Sequence, residues 1–304
     1  MHIHDIFAQH DTTYSFEFFP PKTDKGWANF YENFEQLKKL HPTFVDVTYG
    51  AGGGTRDNTW KMVMELHHNH DVTVVPHMTT VCHNEEEVKT FIDGYAREGV
   101  ENILALSGDS PKDDPNYDRT QDAFQYAEQL VRYLIKYREQ GLTQDSRGFG
   151  IGVAGFPEGH HATQNRMEEL RFLKQKADLA DYVCTQFCFD TYDILDWFER
   201  LEIMGITTPV IIGVMPITSY QMYEKLPQFG LGAKFPAKLM RQIENHKDDD
   251  EAIKQIGIDW VTEQCEILLD NNVRGLHFYT LNKAEATVEI FNRLGLAERE
   301  TAKA

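Results

Sequence analysis

The stretch Tyr14-Ser15-Phe16-Glu17-Phe18-Phe19-Pro20-Pro21 is aromatic, strand-forming and closed by two prolines, and it opens a pattern that recurs along the whole chain. Side chains alternate along a strand, so Tyr14, Phe16 and Phe18 share one face while Ser15, Glu17 and Phe19 share the other. Beyond the prolines, Trp27, Phe30, Phe34, Leu37 and Leu40 stand at helical spacing and predict a helix over 25–40. A strand over 44–48 follows. Further strands are expected over 72–80, 102–107, 148–156, 182–189, 210–215 and 275–280, and helices over 56–70, 85–97, 121–139, 163–177, 192–204 and from 284 onward. A helical stretch over 219–269 separates the last two strands.

Most of these strand–helix units take about 30 residues, the size of a βαβ module. Eight of them in one chain predict the α/β class and a closed (β/α)8 TIM barrel. An open doubly wound sheet is the alternative. The two longer gaps hold an extended loop over 108–120 and extra helix around 234–250. No proline-rich or low-complexity linker divides the chain, and the acidic run 248–251 is short enough to start a solvated helix. One catalytic-size domain over 1–304 is therefore expected.

Composition narrows the function. With 30 Lys+Arg against 48 Asp+Glu in 304 residues, the formal charge of −18 repels phosphate backbones and anionic lipid surfaces, so neither nucleic acid nor a membrane is an expected partner. Cys82, Cys184, Cys188 and Cys265 form no C-x-x-C pair and read as reduced thiols, with no metal site expected. The amino-terminal residues lack the apolar core of a signal peptide and no apolar run approaches membrane-spanning length. A cytoplasmic enzyme or binding protein remains.

Active sites of such barrels gather at the C-terminal ends of the strands, and here those ends are polar. The second ends in Thr48-Tyr49, the third in His77, the fourth in Ser107-Gly108-Asp109, and the fifth in Phe156-Pro157-Glu158 before Gly159-His160-His161. The sixth carries Gln186, and the eighth ends in Tyr279-Thr280 with Asn282-Lys283 beyond. Each has an ordinary structural reading as a β-former, a core histidine, a turn residue or an interior amide. Their recurrence at equivalent positions points to a polar ligand at the barrel mouth. Glu17 belongs with them: facing a water-poor cavity its carboxyl would be held protonated, as a general acid requires, whereas on an edge strand it would merely face water.

Other motifs fail on context. Gly50-Ala51-Gly52-Gly53-Gly54-Thr55 does not fit the G-x-G-x-x-G register and lacks a ribose-binding acid. His2-x-His4 precedes the first strand and belongs at the wrong barrel end, and His67-His68-x-His70 reads as a solvated helix face. No G-x-S-x-G elbow or phosphate-binding G-x-x-x-x-G-K-[ST] occurs.

The runs FEFFPPKT, VDVTYGAGG, PHMTT, ILALSGD, VAGFPEGHH, TQFCFD, GVMPI and LHFYTLNKAE, in this order, closely resemble the methylenetetrahydrofolate reductase family, in its short bacterial form of a catalytic barrel alone. The resemblance covers about 14–296 and extends to no regulatory domain of the animal type, so feedback by S-adenosylmethionine is not expected. It implies a barrel with non-covalent FAD, NADH or NADPH as co-substrate, and reduction of 5,10-methylenetetrahydrofolate to 5-methyltetrahydrofolate for methionine synthesis.

By the same resemblance Glu17 is the acid that protonates folate N10, and Asp109 is the carboxylate near the flavin pyrimidine edge that supports the cationic folate intermediate. Gln186 serves folate and nicotinamide in turn in a ping-pong cycle, Thr48 is a nicotinamide-side contact and Lys283 a folate-side one. Tyr49, Ala51, His77, Ser107 and Gly108 lie on the isoalloxazine side. Tyr126, Ala127, Phe156, His160, Thr163, Glu169 and Lys176 complete the FAD site, with a helix N-terminus near Thr163 adding backbone donors. Three residues depart from the family's habit. Ser107 replaces a common Arg and removes a cation beside the flavin, Phe156 replaces a Tyr, and Lys283 replaces an Arg and its planar fork. A homo-oligomer is expected, its order left open. A folate- or flavin-binding subunit without net reduction, and a flavin dehydrogenase of another amine such as the proline dehydrogenases, are the competing readings. The presence of Glu17, Asp109, Gln186 and Lys283 disfavours them.

Overall fold

A computed structural model describes residues 1–49, 56–111, 114, 116–230 and 232–296. Eight parallel strands close into a barrel in sequence order: β1 (Thr13–Phe18), β2 (Phe44–Val47), β3 (Val74–Thr79), β4 (Asn102–Leu106), β5 (Gly150–Gly155), β6 (Tyr182–Thr185), β7 (Val210–Val214) and β8 (Gly275–Tyr279). The barrel is closed by β8 pairing with β1, Thr13 to Gly275 through Glu17 to Tyr279. The expected TIM barrel is present, and the open-sheet alternative is excluded by that last pairing.

The alternation expected of β1 is realised. Tyr14, Phe16 and Phe18 face the helical layer. Tyr14 and Phe16 meet Phe291 of α11 (Glu285–Leu294), and Phe18 meets Phe30 and Phe34 of α2 (Asp24–Lys38), at centroid separations of 5.4–5.6 Å. Such edge-on aromatic pairs add to the burial that pins β1 to its helices. The opposite face, Ser15 and Glu17, looks into the barrel beside His277 and His77.

Helices α3 (Arg56–Asn69), α4 (Glu85–Glu98) and α7 (Thr191–Ile203) occupy their expected places. Four differences from the sequence expectations have local causes. A short helix, α1 (Ile3–Gln9), precedes β1 and inserts Ile3, Ile6 and Phe7 against Phe44, Val75, Leu104, Tyr182, Cys184 and Ile211 at the N-terminal end of the barrel. Seven residues are too few for periodicity to reveal it. His2 caps this helix, its Nδ1 accepting from the His4 amide, so the His-x-His pair is structural and lies at the end opposite the strand termini, as expected.

The helix expected over 121–139 begins only at Ala127 (α5, Ala127–Arg138), after a separate 3-10 turn, Arg119–Gln121. The helix expected from Thr163 begins at Arg166 (α6, Arg166–Ala177), because Asn165 accepts from the Met167 and Glu168 amides and sets the cap there. The stretch 219–269 is broken into α8 (Tyr220–Lys225), α9 (Ala237–Glu244) and α10 (Asp250–Asp270), with Pro227 in the 3-10 turn after α8 and Pro236 capping α9. Gly257 lets α10 touch the loop after β7, where an added Cβ would stand 2.0 Å from the Ile217 carbonyl.

Just beyond α3, His70 is not solvated as expected: its ring packs 4.8 Å from that of Phe34. Cys184, Cys188 and Cys265 are buried free thiols, and Cys82 is half-buried.

Candidate active site

Glu17, near the C-terminal end of β1, is the hub of a polar layer inside the barrel. Its register partner on β2 is Asp46, so two carboxylates face the same interior. Between and across from them stand two imidazoles. His77 Nε2 is 3.7 Å from Glu17 Oε2 and 3.5 Å from Asp46 Oδ1, while His277 places Nε2 3.8 Å from Glu17 Oε2 and Nδ1 3.6 Å from Asp46 Oδ2. Ser15 Oγ lies 2.8 Å from His277 Nδ1. The Glu17 side chain keeps 18% of its exposure whereas Asp46 keeps 1%, so Glu17 faces the mouth and Asp46 the floor.

Burial alone would drive the proton off His77. Asp46 beside it and the Glu17 charge outweigh burial and raise its pKa above the ordinary 6.5. Burial pushes the Cys184 thiol and the Tyr279 phenol well above their ordinary values, helped by the Asp46 and Glu17 charges. Both groups stay neutral. Tyr279 donates its O–H to the Thr185 carbonyl at 2.8 Å, and Thr280 Oγ1 donates to the Glu17 carbonyl at 2.7 Å.

The rim is fastened by the loop after β8. Asn282, at φ 58°, accepts from the Phe19 amide at 3.0 Å and donates to the Phe19 carbonyl at 2.8 Å. That pair fixes the exit of β1 where its aromatic run ends. Lys283 stands exposed on the same loop. Gln186 continues β6 by donating its amide to the Gly155 carbonyl, and its side-chain oxygen accepts from the Phe187 amide. Thr48 continues β2, its amide donating to the Phe18 carbonyl.

The FAD-side expectations divide into two groups. Phe156 and His160 pack edge-on at 4.7 Å, and the Lys176 ammonium stands 5.6 Å over the Phe156 ring. Burial brings the Lys176 pKa down to about 8 against the opposing charge of Glu169, two turns earlier on the same face of α6. Burial also raises Glu169, and burial lowers His160, with Asp109 near enough to oppose the shift. Tyr126 caps α5 with its ring 66% exposed, and Ala127 starts that helix. Phe156, His160, Glu169 and Lys176 are thus brought together, while Tyr126 and Ala127 stand at the start of the helix after β4.

Tyr49 points elsewhere. Its hydroxyl meets His83 Nε2 at 2.9 Å and its ring packs on Phe91 of α4. Ala51 lies outside the described residues. Thr163 holds a turn by donating its amide to His160, and the backbone donors expected there belong instead to the start of α6, where Asn165 already takes two of them.

The cation expected to be missing at Ser107 is supplied from another element. Arg119, in the 3-10 turn before α5, donates to the Ser107 carbonyl and hydroxyl, the Gly108 carbonyl, Thr80 Oγ1 and the Gln125 carbonyl at 2.7–3.1 Å. It clamps the turn that presents Asp109. Gly108 must be glycine there: its φ is +76°, and a Cβ would lie 2.6 Å from Val81.

Asp46, His277 and Arg119 are the residues that reading strand ends overlooks. Asp46 and His277 sit one layer below the ends, in phase with the inward faces of β2 and β8, and that phase was available from alternation. No local signal marks Arg119. Two surface clefts, of about 360 and 370 Å3, are lined by residues such as Thr43 and Thr73 or His2 and Arg147, and none of the strand-end polar residues lines either. Among the described residues no group of His, Cys, Asp and Glu is arranged to hold a metal ion, and no helix is long and apolar enough to cross a membrane.

A closed eight-stranded parallel barrel with two carboxylates and two imidazoles in its interior defines a protein of the (β/α)8 TIM-barrel class. Residues 2–295 match the family model described as methylenetetrahydrofolate reductase, and the chain belongs to that family. Methylenetetrahydrofolate reductase 1 of Schizosaccharomyces pombe is 35% identical over 292 residues, covering 95% of this chain and 47% of the relative. Methylenetetrahydrofolate reductase (NADH) 1 of Arabidopsis thaliana is 34% identical, covering 97% and 50%. The chain thus spans about half the length of these relatives. It covers 90% of the Escherichia coli 5,10-methylenetetrahydrofolate reductase, at 31% identity and with 93% of this chain aligned. A structure titled as an uncharacterized Clostridium thermocellum protein that binds two copies of 5-methyl-5,6,7,8-tetrahydrofolic acid shares the fold, with a TM-score of 0.63 at 13% identity and 99% of each chain covered.

Proposed function

We propose that this chain, as one catalytic domain, reduces 5,10-methylenetetrahydrofolate to 5-methyltetrahydrofolate with a reduced nicotinamide and FAD. The observation that carries the reading is Glu17, held near the C-terminal end of β1 beside two imidazoles and still 18% exposed. A carboxyl there is screened from bulk water yet able to reach a ligand, the placement a proton donor needs. Glu17 protonates N10 of the folate, the C–N10 bond opens, and the one-carbon unit is left as an iminium that accepts hydride.

The residues on the β4–β6 side suit FAD. A half-buried ring at Phe156, the exposed Tyr126 face and the Lys176 ammonium combine stacking surface with a cation, as a long aromatic anion demands. Thr79 Oγ1, buried at the end of β3 without a protein partner, adds an unused donor and acceptor. Phe156, His160, Glu169 and Lys176 would hold the adenosine and pyrophosphate, and His77, Ser107 and Gly108 would lie on the flavin-ring side. When bound, FAD supplies hydride transfer between nicotinamide and folate. Asp109 places a negative charge where the cationic folate develops. Gln186 and Thr48 orient the reacting rings, and exposed Lys283 faces the anionic tail of the folate.

The setting we infer is cytoplasmic and homo-oligomeric; Tyr192 and Ile203, 85% and 82% exposed at the two ends of α7, offer apolar surface for a partner copy. Anaerobic absorption spectroscopy tests the activity: FAD-loaded protein should bleach on addition of NADH or NADPH and recover its colour on addition of methylenetetrahydrofolate. Bleaching without recovery would leave a nicotinamide-linked flavoprotein of other purpose, and protein that takes up no FAD would end the reading.

A further inference from the structure

Asp46 is a buried carboxylate with neither oxygen hydrogen-bonded, and His77 Nε2 and His277 Nε2 are likewise buried without a conventional hydrogen bond. The two imidazoles stand 3.5–3.8 Å from the Asp46 and Glu17 carboxylates. An unpaired buried carboxylate is costly, and so is a buried imidazolium. Two of each in one layer can offset those costs together, provided that protons are shared among them. We propose that Asp46, His77 and His277 form a proton reservoir behind Glu17, in which the imidazoles return a proton to the Glu17 carboxylate after each turnover and Asp46 is the positioning residue that keeps that proton in the barrel.

The steps balance. On protonation of folate N10 the Glu17 O–H bond breaks and an N10–H bond forms, leaving a carboxylate. An imidazolium N–H of His77 or His277 then breaks as the Glu17 O–H re-forms. A proton drawn from solvent, delivered as hydronium, re-forms the imidazolium N–H and leaves water, so each turnover takes up one solvent proton and no electron changes hands. This rests on the reading of Glu17 as the acid.

The groups facing this layer are few. They are Ser15 and Glu17 from β1, Asp46 from β2, His77 from β3, Tyr182 and Cys184 from β6, and His277 and Tyr279 from β8. The strands β4, β5 and β7 contain no titratable residue. Burial holds Tyr182, Cys184 and Tyr279 neutral, so the exchangeable charge resides on two carboxylates and two imidazoles. His77 already shows the expected sign, its pKa raised despite burial because Asp46 and Glu17 stand beside it.

Asp46→Asn keeps the shape and removes the charge. In 15N-imidazole NMR of the intact protein, His77 should remain protonated above its ordinary pKa, and in Asp46→Asn its titration should move down by about one pH unit or more, the size of shift a neighbouring opposite charge imposes. In stopped flow, oxidation of the reduced enzyme by methylenetetrahydrofolate should lose rate with rising pH about one unit earlier in the variant, while reduction by NADH keeps its profile. A merely structural role would slow both without moving either profile. A wild-type His77 that titrates at or below 6.5 overturns the reservoir even if the variant does not fold, and so does an unmoved folate profile in folded Asp46→Asn. Failure of the acid assignment itself is seen separately, as unimpaired folate reduction by Glu17→Gln.

Discussion

Glu17 and Asp46 are register partners on adjacent parallel strands, and their carboxylates share two imidazoles. The Glu17 carboxylate keeps part of its exposure while that of Asp46 is buried.

Glu17→Gln should bind FAD and accept hydride from the nicotinamide at near-normal rate, because that half-reaction needs no proton at N10. Its oxidation by methylenetetrahydrofolate should slow by about 10² to 10⁴, the usual contribution of a positioned general acid. Stopped-flow traces of the two halves decide the matter; wild-type-like oxidation by folate would show that Glu17 donates nothing.

Asp109→Asn removes a charge from the exposed turn after β4 with little change of shape. The folate half-reaction should slow, and reduction by the nicotinamide should slow less or even quicken, since only the folate passes through a cation. Equal slowing of both halves in the same stopped-flow measurement would instead mean general damage to the turn.

Arg119→Ala strips five hydrogen bonds from the Ser107–Gly108 turn and its surroundings. Even one hydrogen bond to a charged group contributes about 1.5–3 kcal/mol, so FAD should bind at least about tenfold more weakly in a fluorescence titration. Lys at this position should restore only part of the loss, since it lacks the fork that reaches two carbonyls and two hydroxyls at once. Unchanged FAD affinity in Arg119→Ala would detach this clamp from the cofactor.

Glu158 carries a pH dependence of stability. Burial lifts its carboxyl to about 7 from an ordinary 4.5, although it accepts the Lys234 amide at 2.8 Å. A carboxyl whose folded pKa exceeds its unfolded one binds more protons when folded, so stability falls as pH rises from about 4.5 to 7. Glu158→Gln keeps an acceptor for Lys234 and cannot ionise. It should be more stable than the parent at pH 8 by up to about 3 kcal/mol and little changed at pH 4, as read by urea unfolding at the two pH values. No difference at pH 8 would mean that the ionised carboxylate is solvated in place.

Much of the fold was legible because each strand carries its own alternation and each long helix its own period. The strand cores over β1 to β8 fall inside the stretches read from residues alone, and the inward phase of Glu17 follows from Phe16 and Phe18 facing outward. The misses have local causes. α1 is too short to show a period, Asn165 moves the start of α6 by competing for its first amides, and prolines cut the stretch 219–269 into pieces.

The site was legible only in part, for a reason of geometry. Alternation by itself put Glu17 on the strand face opposite Tyr14, Phe16 and Phe18, because that depends on neighbours one and two residues away, but whether that face meets a cavity or water was left to the tertiary structure. Which interior residues meet is decided by closure of the barrel, the register of Glu17 against Asp46 and Tyr279, and the stagger that sets His77 beside both acids. Likewise the cation missing at Ser107 returns as Arg119 through a loop path that no spacing encodes. Local sterics and hydrophobic period reside in the chain; long-range charge pairing exists only once β8 has closed on β1.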